Sequence, residues 1–181
     1  MKLYAISDLH LSDAVNRRAL EGVAEHPDDW IVLAGDTGEK EAHLDWALSI
    51  LTHRFRQVVW VPGNHDLWTL PSDREGLRGE AKYRRLVTIC LRQDLVQLPR
   101  IPRFSIWCGT RQTERWHVRF SASVLVYGHL HVRGTRFRDG VRFEEVSLGL
   151  SPWNWSQEDG IRPYLREILP GKAVDRPDRN E

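Results

Sequence analysis

Short apolar runs alternate with helical stretches through the first third of the chain. Residues 2–6, KLYAI, read as a strand that breaks at the polar Ser7-Asp8. In residues 14–25, Ala14, Leu20, Val23 and Ala24 are apolar, which predicts a helix, and Asp13 stands where an N-cap belongs. Residues 30–34, WIVLA, are a continuous apolar run of the kind buried on both faces of a sheet. Residues 39–51 put Leu44, Ala47, Leu48 and Leu51 at spacings of three and four, a second helix. Residues 58–61 are another short strand, closed by Pro62-Gly63. This alternation implies right-handed crossovers and a sheet that is at least partly parallel.

The pattern blurs in the middle. Residues 75–90 begin as a charged helix around Glu80 to Arg85, and the following LVTIC of residues 86–90 either continues it or starts a strand. Pro99 and Pro102 mark a loop, residues 104–107 suit a short strand and residues 112–120 a short helix. The last third is clearer. Residues 123–127, SVLVY, read as a strand, and residues 135–138 and 141–146 flank Asp139-Gly140, a dipeptide suited to a type I′ hairpin turn. After Leu150 the chain turns to Pro, Trp, Asn and Ser, and its last residues are polar. The expected organisation is one domain over residues 1–169 and a disordered tail over residues 170–181.

Composition narrows the class. A chain of 181 residues with 41% hydrophobic and 28% charged residues suits one globular domain with its own core. The net charge of +1 gives no whole-molecule argument for nucleic acid, and no apolar run reaches membrane-spanning length. The start, MKLYAISDLHL, meets Asp8 too soon for a signal peptide. Cys90 and Cys108 are too few for a disulfide framework and lack metal-type spacing, so a cytoplasmic setting is expected.

Four polar clusters each follow an apolar strand: Asp8-Leu9-His10, Gly35-Asp36, Gly63-Asn64-His65-Asp66 and Gly128-His129-Leu130-His131. In open α/β sheets ligands sit beyond the carboxyl ends of the strands, so four such ends would gather these side chains in one place. The glycines before Asp36, Asn64 and His129 would let neighbouring backbones approach closely. Asp and His together bring oxygen and nitrogen ligands, Asp36 can bridge two cations, and Asn64 offers a neutral amide oxygen. His129 and His131, two apart, would share a side on an extended segment. Such mixed ligands suit Mn, Fe, Zn or Co better than Ca or Mg. Taken singly, each cluster reads more simply as a turn or as surface histidines. All four in this order, each behind a strand, favour a metal site.

The set D-L-H, G-D, G-N-H-D and G-H-L-H resembles the calcineurin-like metallophosphoesterase superfamily over residues 1–147. The resemblance implies an α/β fold, a two-sheet β-sandwich flanked by α-helices, with two divalent metals, Mn, Fe or Zn, and hydrolysis of phosphate mono- or diesters. It assigns Asp8, His10, Asp36 and His131 to a first metal and Asp36, Asn64 and His129 to a second. His65 takes the place of the histidine that contacts phosphate and protonates the leaving group, with Asp66 expected to hold its imidazole. Residues 100–110, Trp116-His117 and residues 140–149 resemble a bacterial subgroup.

One family feature is missing: a second-metal histidine between the G-N-H-D and G-H-x-H motifs. The chain reads as though an internal segment were absent near Cys90 and Leu91. Three readings stay open. The second metal is held weakly by Asp36, Asn64 and His129; or His117, Cys90 or Cys108 substitutes; or only the first metal binds, and the protein is a feeble catalyst or a binding module. Among the eight tryptophans, Trp30, Trp46 and Trp60 read as packing, Trp68 as a candidate pocket wall, and Trp107, Trp153 and Trp155 as loop residues that could stack on a ring or meet a second copy in a homodimer. Arg133, Arg136, Arg138 and Arg142 read as an exposed hairpin face or as phosphate contacts.

Overall fold

The computed structural model describes residues 1–73, 76–92, 114–149 and 160–170. Its first sheet is built by β1 (Leu3–Ile6), β2 (His26–Ala34) and β3 (Phe55–Val61), with α1 (Ala14–Glu21) and α2 (Glu41–Arg54) as the crossovers. The strands lie in the order β3-β2-β1 and are parallel, as the strand–helix alternation predicts. The short α3 (Asn64–Leu67), the longer α4 (Gly79–Arg92) and the short α5 (Trp116–Arg119) follow. A second sheet, in the order β4-β6-β5, comprises β4 (Val124–Tyr127), β5 (Gly134–Arg138) and β6 (Val141–Glu145). After a 3-10 turn at Arg162–Tyr164, β7 (Arg166–Leu169) adds antiparallel to β1 at the edge of the first sheet.

Strand periodicity explains the layering. Tyr4, Ile6, Ile31 and Leu33 point into one apolar cluster with Leu20, Leu44, Leu48, Leu51, Leu86 and Ile89 from the helices. Leu3, Ala5, Val32 and Ala34, on the alternate positions, point the other way onto Val124, Val126, Val146 and Ile168. The first sheet is therefore covered by helices on one face and by the second sheet on the other. No helix of the described residues is long and apolar enough to cross a membrane.

Several boundaries differ from the sequence pattern. Asp13 caps α1 as expected, accepting the Val15 N–H at 2.8 Å, but Gly22 ends that helix early. The ambiguous residues 86–90 continue α4, and Leu86, Ile89 and Cys90 pack into the core on its buried side. β2 starts earlier than its apolar run because His26–Asp29 join through a register shift before Trp30. β7 was not foreseen: only Ile168 of its four residues is buried, too little for a pattern. The strand expected at residues 104–107, the loop tryptophans, Cys108 and the tail after Pro170 lie outside the described residues.

The hairpin turn is as expected, with φ of 52° at Asp139 and 74° at Gly140, the two left-handed positions of a type I′ turn. Gly140→Val puts a β-branched side chain there. It should lower stability by about 1–2 kcal/mol in urea unfolding while metal content stays unchanged, since the turn lies at the far end of β6 from the polar clusters.

Candidate metal centre

The polar clusters meet where β1 to β4 end. Asp8 and Asp36 are buried, at 1% and 4% exposure, an arrangement that carboxylates tolerate only when paired or hydrogen-bonded. Asp8 accepts from the hydroxyls of Ser7, at 2.5 Å, and Ser147, at 2.9 Å, and its two oxygens accept the His129 N–H at 3.0 and 2.9 Å. Asp36 Oδ1 accepts the His65 N–H at 2.8 Å. Single ligand-type atoms of Asp8, His10 and His131 lie within 4.8 Å of one another, and so do those of His10, Asp36 and His65. His131 Nε2 is 3.4 Å from Asp8 Oδ1, and His129 Nδ1 is 4.0 Å from Asp36 Oδ2.

The residues fit a cation. His10 Nε2 and His131 Nδ1 are buried ring nitrogens without a hydrogen-bond partner, and a buried unpaired group of this kind is costly unless it serves something else. Burial above all, and then the neighbouring His65, push the His10 imidazole below its ordinary pKa, so the ring keeps the neutral lone pair that a metal requires. Backbone strain marks the same residues. Asp8, His10, Asp36, His129 and His131 all have positive φ, between 42° and 83°, and of the other described non-glycine residues only Ser121 and Asp139 do. Each left-handed residue costs on the order of 1–2 kcal/mol, and such strain gathers at functional sites. The 129–131 segment is thus not extended as expected. Its side chains still alternate, with His131 turned inward while Leu130 and Val132 are 61% and 62% exposed.

Close packing of backbone makes the cluster. A Cβ at Gly128 would stand 2.1 Å from Asp8 Oδ2 and from Ser7 Oγ, and one at Gly63 would stand 2.1 Å from Asp36 Oδ1. The glycines before the motifs are there for this approach.

His65 lies in the first turn of α3, with its ring 4.6 Å from that of His10 and 4.0 Å from that of Trp68. The expected Asp66–His65 hydrogen bond is corrected by the structure. Successive residues on a helix do not face each other, so Asp66 points inward. It accepts the backbone N–H groups of Thr37 (3.0 Å), Gly38 (3.3 Å) and Gly63 (2.8 Å), clamping the Asp36 loop to the start of α3. Burial, with Asp36 nearby, pushes its carboxyl up to about 7, against the pull of those amides. The partner of His65 is Glu39, whose Oε1 lies 3.0 Å from Nδ1. Burial opposes the charge of Glu39, yet hydrogen bonds, including that from His65, hold the carboxyl below its usual range. Sequence reasoning missed Glu39 by counting it into a helix, although an acid three residues after Asp36, on the same loop, is a visible signal. It also missed Ser7 and Ser147, small polar residues with no pattern of their own.

The substitute ligands fare differently. His117 is buried and gives its Nε2 to Asp139 at 2.8 Å, at the hairpin turn, remote from the cluster. Cys90 sits in the helix-side core, where burial pushes its thiol up to about 12, and joins no ligand group among the described residues. Neither supplies the absent histidine. Three of the hairpin arginines are tied into the structure: Arg133 donates to the Ser147 and Tyr164 carbonyls, Arg138 pairs with Glu114, and Arg142 pairs with Glu144.

A fold of two facing sheets with Asp, His and Asn side chains collected at the strand ends defines a metal-dependent phosphoesterase. Residues 1–149 match the calcineurin-like phosphoesterase superfamily domain, and the chain belongs to that superfamily. It is 29% identical to the acyl-carrier-protein phosphodiesterase PptH of Mycobacterium tuberculosis, covering 93% of this chain and 83% of that protein. The alignment runs over 273 positions, more than the 181 residues here, so the relative carries stretches with no counterpart in this chain, consistent with a missing internal segment. The crystal structure of the phosphopantetheinyl hydrolase PptH from the same organism is similar with a TM-score of 0.82 at 27% identity, over 97% of this chain and 98% of that one. A metallophosphoesterase from Sphaerobacter thermophilus aligns at 17% identity over 82% of this chain and 76% of that one, with a TM-score of 0.41. The protein is accordingly a metal-dependent phosphoric ester hydrolase, and the binding-module reading is not favoured.

Gly128→Ala should press the new methyl into Asp8. A loss of about 1–3 kcal/mol in stability is expected, together with reduced divalent-metal content by elemental analysis.

Proposed function

We propose that the protein hydrolyses the phosphodiester joining a phosphopantetheinyl arm to an acyl carrier protein, releasing the arm and the carrier hydroxyl. The observation that carries this reading is the whole-chain likeness to the mycobacterial PptH, in sequence and in fold.

Two divalent ions, of the Mn, Fe or Zn kind, would sit at the strand ends. Asp8, His10, Asp36 and His131 would hold the first, and Asp36, Asn64 and His129 the second. Bound there, they supply positive charge to the phosphate oxygens and activation of the attacking water. The chain's own groups do the rest. Glu39 holds His65 through Nδ1 and fixes the ring, so that in the imidazolium form the Nε2 proton is the one left to give. Water adds to phosphorus, the P–O bond to the carrier breaks, and the departing oxygen takes that proton. Trp68, 38% exposed beside the imidazole, forms a wall on the leaving-group side.

Holo carrier protein incubated with the Mn-loaded enzyme should lose the mass of its arm. A carrier of unchanged mass, with a generic phosphodiester cleaved in parallel, would remove the carrier substrate and leave the phosphoesterase. His65→Gln should keep its metal yet turn over roughly 10²–10⁴-fold more slowly, with the smallest loss on a nitrophenolate ester that needs little protonation. The second position lacks one imidazole. Calorimetric titration with Mn should therefore give two unequal steps, activity appearing with the weaker one, and two equally tight steps would contradict the assignment.

A further inference from the structure

Lys82 is a charged residue only 5% exposed, on α4, a helix that carries none of the residues assigned to the two metals. Lysines ordinarily run their stems along a surface and keep the ammonium in water. Here Nζ donates to two backbone carbonyls from different parts of the chain, that of Glu39 at 2.9 Å and that of Trp68. Both belong to the segments that hold His65. The Glu39 side chain takes the His65 Nδ1 hydrogen bond, and Trp68 ends α3 with its ring 4.0 Å from the imidazole. Burial lowers the Lys82 pKa from its ordinary value, but the carboxylates of Asp66, Glu41, Glu39 and Asp73 around it favour the charge.

We infer that Lys82 is a positioning residue for the His65 proton donor, tying the Glu39 loop to the end of α3 so that the imidazole keeps one orientation. The inference rests on the reading of His65 given above. A buried ammonium is suited to this, because one cation can satisfy two carbonyls at once and costs much to leave unpaired, so the two segments stay together.

The test separates positioning from simple support of the fold. Lys82→Met keeps the stem and removes charge and donors. Turnover of an alkyl phosphodiester, whose leaving group needs a proton, should fall by roughly 10²-fold. Turnover of a nitrophenyl phosphodiester should change little, Mn content should be kept, and Lys82→Arg should restore part of the loss. On a His65→Asn background, Lys82→Met should add no further loss, because the two act as a unit. Equal losses on both esters, or a full additional loss on the His65→Asn background, would overturn the inference. If the Met variant does not fold, Lys82→Arg, which keeps the charge and alters the reach, is read by the same two criteria. Should His65→Asn itself treat the two esters alike, the proton-donor reading fails and Lys82 falls with it. A leaving-group effect in His65→Asn without one in the Lys82 variants removes Lys82 alone.

Discussion

The Asp8 carboxylate is the point on which the two sheets close. It leaves the end of β1 in the first sheet and receives hydrogen bonds from His129, after β4, and from Ser147, after β6, both in the second. Ser7 reinforces the joint, since its N–H reaches the Val146 carbonyl at 3.2 Å and its carbonyl takes the Leu148 N–H at 2.9 Å. Asp8 N–H in turn reaches the Gly35 carbonyl at 3.0 Å, bringing in the end of β2. A buried anion satisfied by donors from separate strands fixes their mutual position more sharply than apolar contact does. The same anion is a candidate metal ligand, so sheet packing and site geometry are one arrangement.

Much of this was legible. The helices and parallel strands of the first half follow apolar spacing, and the four clusters are short polar interruptions at strand ends, where a doubly covered strand should not carry them. Asp139-Gly140 announced its turn because few dipeptides accept two left-handed residues. What stayed hidden depends on contacts distant in the chain. Whether residues 86–90 form helix or strand is decided by the core they meet, and β7 exists because β1 offers a free edge. The partner of His65 could not be read from adjacency: Asp66 is next to it in sequence and turned away from it in space, while Glu39 comes from another loop.

The left-handed backbone at Asp8, His10, Asp36, His129 and His131 costs conformational energy that the rest of the fold must sustain. Asp66 contributes by gripping the amides of Thr37, Gly38 and Gly63 with one carboxylate. The helix layer contributes by burying Ile6, Leu9 and Leu11 on either side of the strained Asp8 and His10. Rigid surroundings of this kind are what an ion site needs, because ligands that could relax would lose their geometry.

The Asp8 junction also bears on how the chain acquires its shape. The pairs that form the first sheet's parallel core, β1 with β2 and β2 with β3, join segments about one crossover apart. The hydrogen bonds that Asp8 accepts from His129 and Ser147 span 121 and 139 residues. Contacts so remote carry the larger loop-closure cost and must wait for the segments between them. A growing chain can therefore lay down β1 to β3 with their helices while Asp8 still lacks its His129 and Ser147 donors. The polar cluster at the strand ends is therefore complete only once the last third of the fold docks on the first sheet.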